Sequence, residues 1–196
     1  MLHIVDDEAV VRDALHWLAS SRQIAATCHN DGSAFFALLE QGFDFDPQGD
    51  CLLLDVRMPG LSGTALFDRL TTRKLQRRLP VIFLTGHGDV PMAVDTLKRG
   101  AFDFFEKPFN DNQLMDRVLE AMESSRQASA LAQVYQRLDS LSAREREVLD
   151  LILAGKLNKV IADKLAISMR TVEVHRANIF DKMQVHSAVE LAGLLK

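Results

Sequence analysis

The feature that most constrains this chain is an alternation repeated through residues 2–124. Short aliphatic runs at Leu2–Val5, Ile24–Cys28, Cys51–Leu54, Val81–Leu84 and Phe102–Phe105 are separated by helical patterns near Val10–Ser20, Ser33–Gln41, Gly63–Thr72, Pro91–Lys98 and Gln113–Ser124. Runs this short and this apolar suit strands covered on both faces, hence a parallel sheet with helices on each side. Five such units predict a doubly wound α/β domain with flavodoxin-like strand order 2-1-3-4-5. Such a sheet carries its function at the carboxyl ends of the strands, near the switch between strands one and three.

The pattern changes after residue 124. Residues 124–138 hold no Gly or Pro, and Ala128, Leu131, Tyr135 and Leu138 recur at three-to-four spacing. This predicts a helical linker able to pair with a second copy, with a flexible coil as the alternative. Four short helices follow, at 142–153, 158–165, 169–183 and 187–195. Ser142 with Glu145 forms a capping-box pair, and Gly155 ends the first of these helices. The organisation is α/β plus all-α: a domain over 1–122, a linker over 123–138 and a helical domain over 139–196.

Composition narrows the class. Hydrophobic residues make up 47% and charged residues 26% of the 196 positions, enough for packed cores and against disorder. Cys28 and Cys51 are the sole cysteines and each lies in an apolar run, so both are expected as buried thiols, without a disulfide framework or a cysteine metal site. The N-terminal residues show no basic start and no long apolar segment, which predicts a cytoplasmic protein without signal peptide or membrane span. Charge is uneven. Residues 1–138 carry 14 Lys+Arg against 19 Asp+Glu, residues 139–196 carry 9 against 8, and within 156–182 the count is 6 basic to 3 acidic. An acidic front with a basic stripe behind it suits a cation site followed by a phosphate-contacting surface.

The first domain concentrates its polar groups at strand ends. Asp6 and Asp7 close the first strand, Asp55 the third, Thr85 the fourth and Lys107 the fifth. Neighbouring carboxylates repel and call for a cation, and an all-oxygen set suits Mg²⁺. Phosphoryl transfer asks for in-line positioning and charge neutralisation, which an aspartate nucleophile, a hard divalent ion, a lysine and a threonine hydroxyl supply together. Singly, Thr85 reads equally as a helix N-cap and Lys107 as a solvated amine; their joint placement argues otherwise.

The blocks Val5-Asp6-Asp7-Glu8, Leu54-Asp55-Val56-Arg57-Met58-Pro59-Gly60, Thr85-Gly86-His87-Gly88-Asp89-Val90-Pro91-Met92-Ala93-Val94 and Lys107-Pro108-Phe109 resemble those of two-component receiver domains, the third being similar to the FixJ branch. The resemblance implies that Asp55 accepts phosphate from a sensor histidine kinase. It implies that Asp7, Asp55 and the Arg57 carbonyl hold Mg²⁺, with Asp6 acting through water, and that the bond before Pro108 is cis. It further implies a switch in which Thr85 moves toward the aspartyl phosphate and Phe104 turns inward, although Phe104 also reads as strand core. Arg57 and His87, two residues beyond Asp55 and Thr85, stand where family members vary and dephosphorylation rates are tuned.

In the second domain, Lys159–Leu165, the turn Ala166-Ile167-Ser168 and Arg170–Met183 have the spacing of a helix-turn-helix, a spacing any three-helix bundle shares. The stretches Leu141-Ser142-Ala143-Arg144-Glu145-Arg146-Glu147-Val148-Leu149, Asn158-Lys159-Val160-Ile161-Ala162 and Ser168-Met169-Arg170-Thr171-Val172-Glu173-Val174-His175-Arg176-Ala177-Asn178-Ile179 resemble the LuxR-type output domain. On that resemblance Thr171, Glu173, Val174, Arg176, Ala177 and Asn178 include the groove-facing positions. Glu173 would accept from cytosine N4, and Val174 or Ala177 would meet a thymine methyl. Lys159, Arg170 and Lys182 would contact phosphates. Against this, Val172 and Val174 also read as core, and Glu173 as a surface partner on its own helix.

The implied cycle is phosphorylation of Asp55, dimerisation of receivers through Val90, Val94, Leu97 and Lys98, and binding of double-stranded promoter DNA by paired output domains. Release of a covered recognition helix is the alternative route. RNA polymerase stands as a further candidate partner. Competing readings are a receiver with a protein-binding output, an aspartyl-phosphate hydrolase, and a ligand-sensing quorum regulator, whose front half would lack the Asp6, Asp7, Asp55, Thr85 and Lys107 set.

Overall fold

The computed structural model describes residues 1–86 and 90–195, with the Val90 side chain left aside. Five strands, β1 (Leu2–Val5), β2 (Ala26–His29), β3 (Cys51–Asp55), β4 (Val81–Thr85) and β5 (Asp103–Glu106), form one parallel sheet in the order β2-β1-β3-β4-β5. Helices α1 (Ala9–Ser21), α2 (Gly32–Glu40), α3 (Gly63–Thr72) and α4 (Val90–Lys98) connect them, and α5 (Asp111–Asp139) follows.

Alternation along each strand builds two cores, because successive side chains face opposite ways. Leu52, Leu54, Val81 and Phe83 pack on Phe35 and Phe36 of α2 and Leu66, Phe67 and Leu70 of α3. Cys51, Leu53, Ile82 and Leu84 pack on Leu15 and Ala19 of α1 and Leu114, Met115, Val118 and Ala121 of α5. Strands buried on both faces explain the unbroken apolar runs.

Two differences from the sequence reading have physical causes. Strand β2 begins at Ala26, because Ile24 closes a helix instead of starting a strand. Its N–H donates to the Ala19 carbonyl at 3.0 Å, after Gln23 has turned left-handed with φ 60°, and its side chain caps the core under α1. Cys28 is exposed where a buried thiol was expected. It lies on an edge strand, and its Sγ lies 3.8 Å from the Arg12 carbonyl. Cys51, on central β3, is buried.

The chain divides into two compact units, Met1–Ser129 and Ala130–Lys196. Helix α5 is unbroken across that division. In the first unit it is pinned by a buried serine: Ser125 Oγ accepts the Asp50 N–H and donates to the Arg78 carbonyl. Gly49 makes this approach possible, since a Cβ there would meet the Met122 carbonyl.

The second unit holds α6 (Ala143–Leu153), α7 (Asn158–Leu165), α8 (Met169–Met183) and α9 (Ala188–Leu194). Its core gathers Leu141, Val148, Leu149, Ile161, Val172, Ile179, Met183 and Leu191, with Val134 and Leu138 of α5 packed against them. Ser142 and Glu145 make the reciprocal capping box at the start of α6. Among the described residues no helix is long and apolar enough to cross a membrane.

Candidate functional site

The carboxyl ends of β1, β3, β4 and β5 bring Asp6, Asp55, Thr85 and Lys107 to one edge of the sheet. Lys107 Nζ donates to Asp6 Oδ2 at 2.7 Å and to Asp55 Oδ1 at 2.8 Å. Each carboxylate is oriented by its own turn. Asp55 Oδ2 accepts the Arg57 N–H at 2.7 Å, and Asp6 Oδ1 accepts the Glu8 N–H at 2.9 Å. Arg12 further holds the Asp6 carbonyl at 2.7 Å. Asp6, Asp55 and Thr85 are all buried. The Lys107 N–H donates to the Thr85 carbonyl at 2.7 Å, so the lysine enters the site directly off the β4–β5 ladder, and the Lys107–Pro108 bond is cis.

Gly63 sets how closely α3 approaches this edge. Its N–H donates to the Val56 carbonyl, and a Cβ at Gly63 would collide with the Asp55 carbonyl. A glycine at this point lets the start of α3 lie against the end of β3.

Electrostatics follow from this burial. Desolvation raises the Asp55 carboxyl above its ordinary value, against the opposing pull of Lys107 and the Arg57 N–H. Burial works against the Lys107 ammonium, yet hydrogen bonds and charge from Asp55 and Asp6 outweigh it and hold the lysine above its ordinary value.

Asp7 stands apart. It is exposed, and among the described residues no three acidic, histidine or cysteine side chains gather as a ligand set. Two carboxylates meet here where three were expected. Asp6, directly after β1, is buried and held by Lys107, whereas Asp7 lies in the bend that follows and faces solvent. Phe104 is half-buried against the α2–α3 core. Val94, Leu97 and Lys98 of α4 are partly exposed or exposed; the Val90 side chain and His87 lie outside the described residues.

One neighbouring feature escaped the sequence reading. An apolar hollow of about 580 Å³ lies beside Lys107 and Pro108, walled by Val10, Trp17, Leu18 and Phe109. Val10 and Trp17, two helical turns apart on α1, are largely exposed. That spacing of large apolar residues on an outward face was the available signal.

In the second unit, Ser168 caps α8 by accepting the Thr171 N–H, and its hydroxyl pairs with Thr171 Oγ1 at 2.8 Å. The outward face of α8 presents Arg170, Glu173, Val174, Ala177 and Asn178, with Lys159 exposed on α7. Val174 is 53% exposed, so it is not core, whereas Val172 is fully buried. Thr171 and Arg176 are half-buried, and the Arg176 guanidinium lies over the Phe180 ring. Lys182, expected to contact phosphate, has its amine 2.7 Å from Glu145 Oε2.

Comparison with known proteins matches both halves. Residues 2–119 match the response regulator receiver domain, and residues 139–195 match the bacterial regulatory proteins of the luxR family. The C4-dicarboxylate transport transcriptional regulatory protein DctR of Rhodobacter capsulatus is 48% identical over 199 residues, 98% of either chain. The transcriptional regulatory protein FixJ of Bradyrhizobium diazoefficiens is 42% identical over 197 residues, 98% of this chain and 93% of its own. Among solved structures, the response regulator StyR aligns with a TM-score of 0.71 at 37% identity, over 99% of this chain and 96% of that one. Full-length FixJ from B. japonicum aligns at 0.57 and 41% identity, over 98% and 94%. Matched in both halves and along nearly its whole length, the chain belongs to the response regulators of the FixJ/NarL type, a receiver followed by a LuxR-type DNA-binding domain.

Proposed function

We propose that Asp55 accepts a phosphoryl group from a sensor histidine kinase, that the receiver then dimerises, and that the output domain binds promoter DNA to regulate transcription in the cytoplasm. The observation that carries this reading is Lys107 bridging Asp6 and Asp55, whose partners come from strands far apart in sequence. In the transfer, the donor's N–P bond breaks as a bond forms from an Asp55 carboxylate oxygen to phosphorus, and the donor imidazole keeps the electron pair. Lys107 then neutralises charge on the phosphoryl oxygens, while the Arg57 N–H holds the carboxylate in place. Thr85, at the end of β4, offers its hydroxyl to another of those oxygens.

The donor set fits Mg²⁺. Asp7, Asp55 and the Arg57 carbonyl would all offer oxygen ligands, with Asp6 acting through water, and the buried carboxylates of Asp6 and Asp55 share a single lysine. When bound, the ion would offset negative charge shared between carboxylate and phosphoryl group. The apolar hollow beside Lys107 suits the approach of a protein donor, and the outward residues of α4, Val94, Leu97 and Lys98, suit a contact between receivers. Phe104, half-buried next to Thr85's strand, suits the role of an aromatic that turns inward.

The test is to treat the full chain with Mg²⁺ and acetyl phosphate, and to repeat it with Asp55→Asn. Intact mass should rise by one phosphoryl group in the first and not in the second. A retained rise in the variant removes Asp55 from its role. Selection from a randomised duplex library tests the output: loss of sequence-selective, salt-sensitive binding would assign the second domain to a protein partner.

A further inference from the structure

Helix α8 ends in a clamp. Lys182 Nζ lies 2.7 Å from Glu145 Oε2 and 3.4 Å from the Ser140 carbonyl, and Arg137 of α5 donates to the Met183 carbonyl at 3.4 Å. The acid is sheltered, with its side chain 5% exposed against 38% for the lysine. The same Glu145 oxygen accepts the Ser142 N–H of the capping box at 2.8 Å. Lys182 hydrogen bonding, then the Ser142 N–H, draw the Glu145 carboxyl below its ordinary value. An amine turning away to serve a DNA phosphate would leave this sheltered carboxylate without its cation, which is costly.

We infer that Lys182 is a positioning residue of the DNA-reading helix and not a phosphate contact: with Arg137 it fixes the C-terminal end of α8 to the α5–α6 junction. The angle at which α8 offers Arg170, Glu173, Val174 and Asn178 is then set by residues 137–145. This rests on reading α8 as the helix that enters DNA.

The two roles for Lys182 predict opposite behaviour of Glu145. If the pair positions the helix, Glu145→Gln and Lys182→Met act in the same direction. If Lys182 serves phosphate, neutralising its competitor Glu145 frees it and binding holds or tightens. The experiment uses the full chain with beryllofluoride, a duplex that the unmodified chain selects from a randomised library, and a random duplex of equal length, across a salt series. Glutamine keeps the capping acceptor, and Lys182→Arg keeps charge and reach. The expected result is a loss of about tenfold in the ratio of selected to random binding for Glu145→Gln and Lys182→Met, the scale of one mismatched base pair. The salt slope should stay unchanged, and Lys182→Arg should keep most of the ratio. The inference is overturned if Lys182→Met weakens both duplexes equally and lowers the salt slope by about one, with Glu145→Gln binding as well or better. Should Glu145→Gln fail to fold, the slope and the Lys182→Arg ratio still decide. If the unmodified chain selects no sequence, the DNA reading fails and this inference falls with it.

Discussion

Asp55 takes its surroundings from three strands and from a lysine 52 residues away, whereas Val174 takes its own from a single helix and from solvent. At the receiver's edge each of the two buried carboxylates is held by a backbone N–H of its own turn and by Lys107 from a distant strand. On α8 the outward residues Arg170, Glu173, Val174, Ala177 and Asn178 are exposed. Chemistry on a phosphoryl group demands preorganised charge, so the protein fixes its groups in advance. Reading a base edge demands an open surface, so the helix spends its packing on the far side, through Val172, Ile179 and Met183. Substitutions should therefore cost stability at the first region and recognition at the second.

The largest effect should come from Lys107→Met. It strands two buried carboxylates without their cation, and removing one partner of such a set costs about 3 kcal/mol. Urea unfolding in chelator should show this, and adding Asp55→Asn should recover much of it. An unchanged midpoint would mean the lysine is not holding the edge together.

Next is Gly63→Ala. The added methyl meets the Asp55 carbonyl, and α3 must shift at a cost of about 1–3 kcal/mol. The same variant should phosphorylate more slowly from acetyl phosphate, because the carboxylate moves with its backbone.

The comparison is sharpened by Arg170→Gln. On an exposed helix face it should change unfolding free energy by less than about 0.5 kcal/mol. It should nonetheless lower the salt slope of DNA binding by about one. A stability loss with unaltered binding would reverse the contrast between the two regions.

The smallest effect concerns pH. Glu145 has a lowered folded-state carboxyl, so its contribution is present above the ordinary glutamate range and is lost as pH falls through it. Melting of the wild-type output domain, within the full chain, should exceed that of Glu145→Gln near pH 7. The gap, under about 1 kcal/mol for a pair whose lysine is partly exposed, should close as pH falls below the ordinary glutamate range and through the lowered folded-state value. A gap that widens on acidification would contradict the pairing.

Much of this architecture is legible in the sequence. Strands β1, β3 and β4 stand where apolar runs announce them, and Asp6, Asp55, Thr85 and Lys107 meet because parallel strands all end at one edge. Helix ends were harder. Four helices close on left-handed residues that are not glycine, Gln23, Lys74, Ala166 and Gln184. With no glycine to mark the turn, a residue such as Ile24 reads as strand when it belongs to a helix cap. Burial across long range was also hidden: nothing local separates Asp6 from Asp7, or Lys182, paired with Glu145, from the exposed Lys159 and Arg170. Cys28 looked apolar by its neighbours and is exposed by its place at the sheet's edge.

The Ser125 hydroxyl has a reach longer than its size. By knotting α5 to the backbones of Asp50 and Arg78 it stops the helix from turning about its own axis. Ser129, one helical turn further along, meets the Arg78 guanidinium at 3.4 Å, so two successive turns of the helix are held at a fixed rotation against the sheet. The direction in which Leu119 looks into water, 45% exposed, is thus set by a serine hidden further along the same helix.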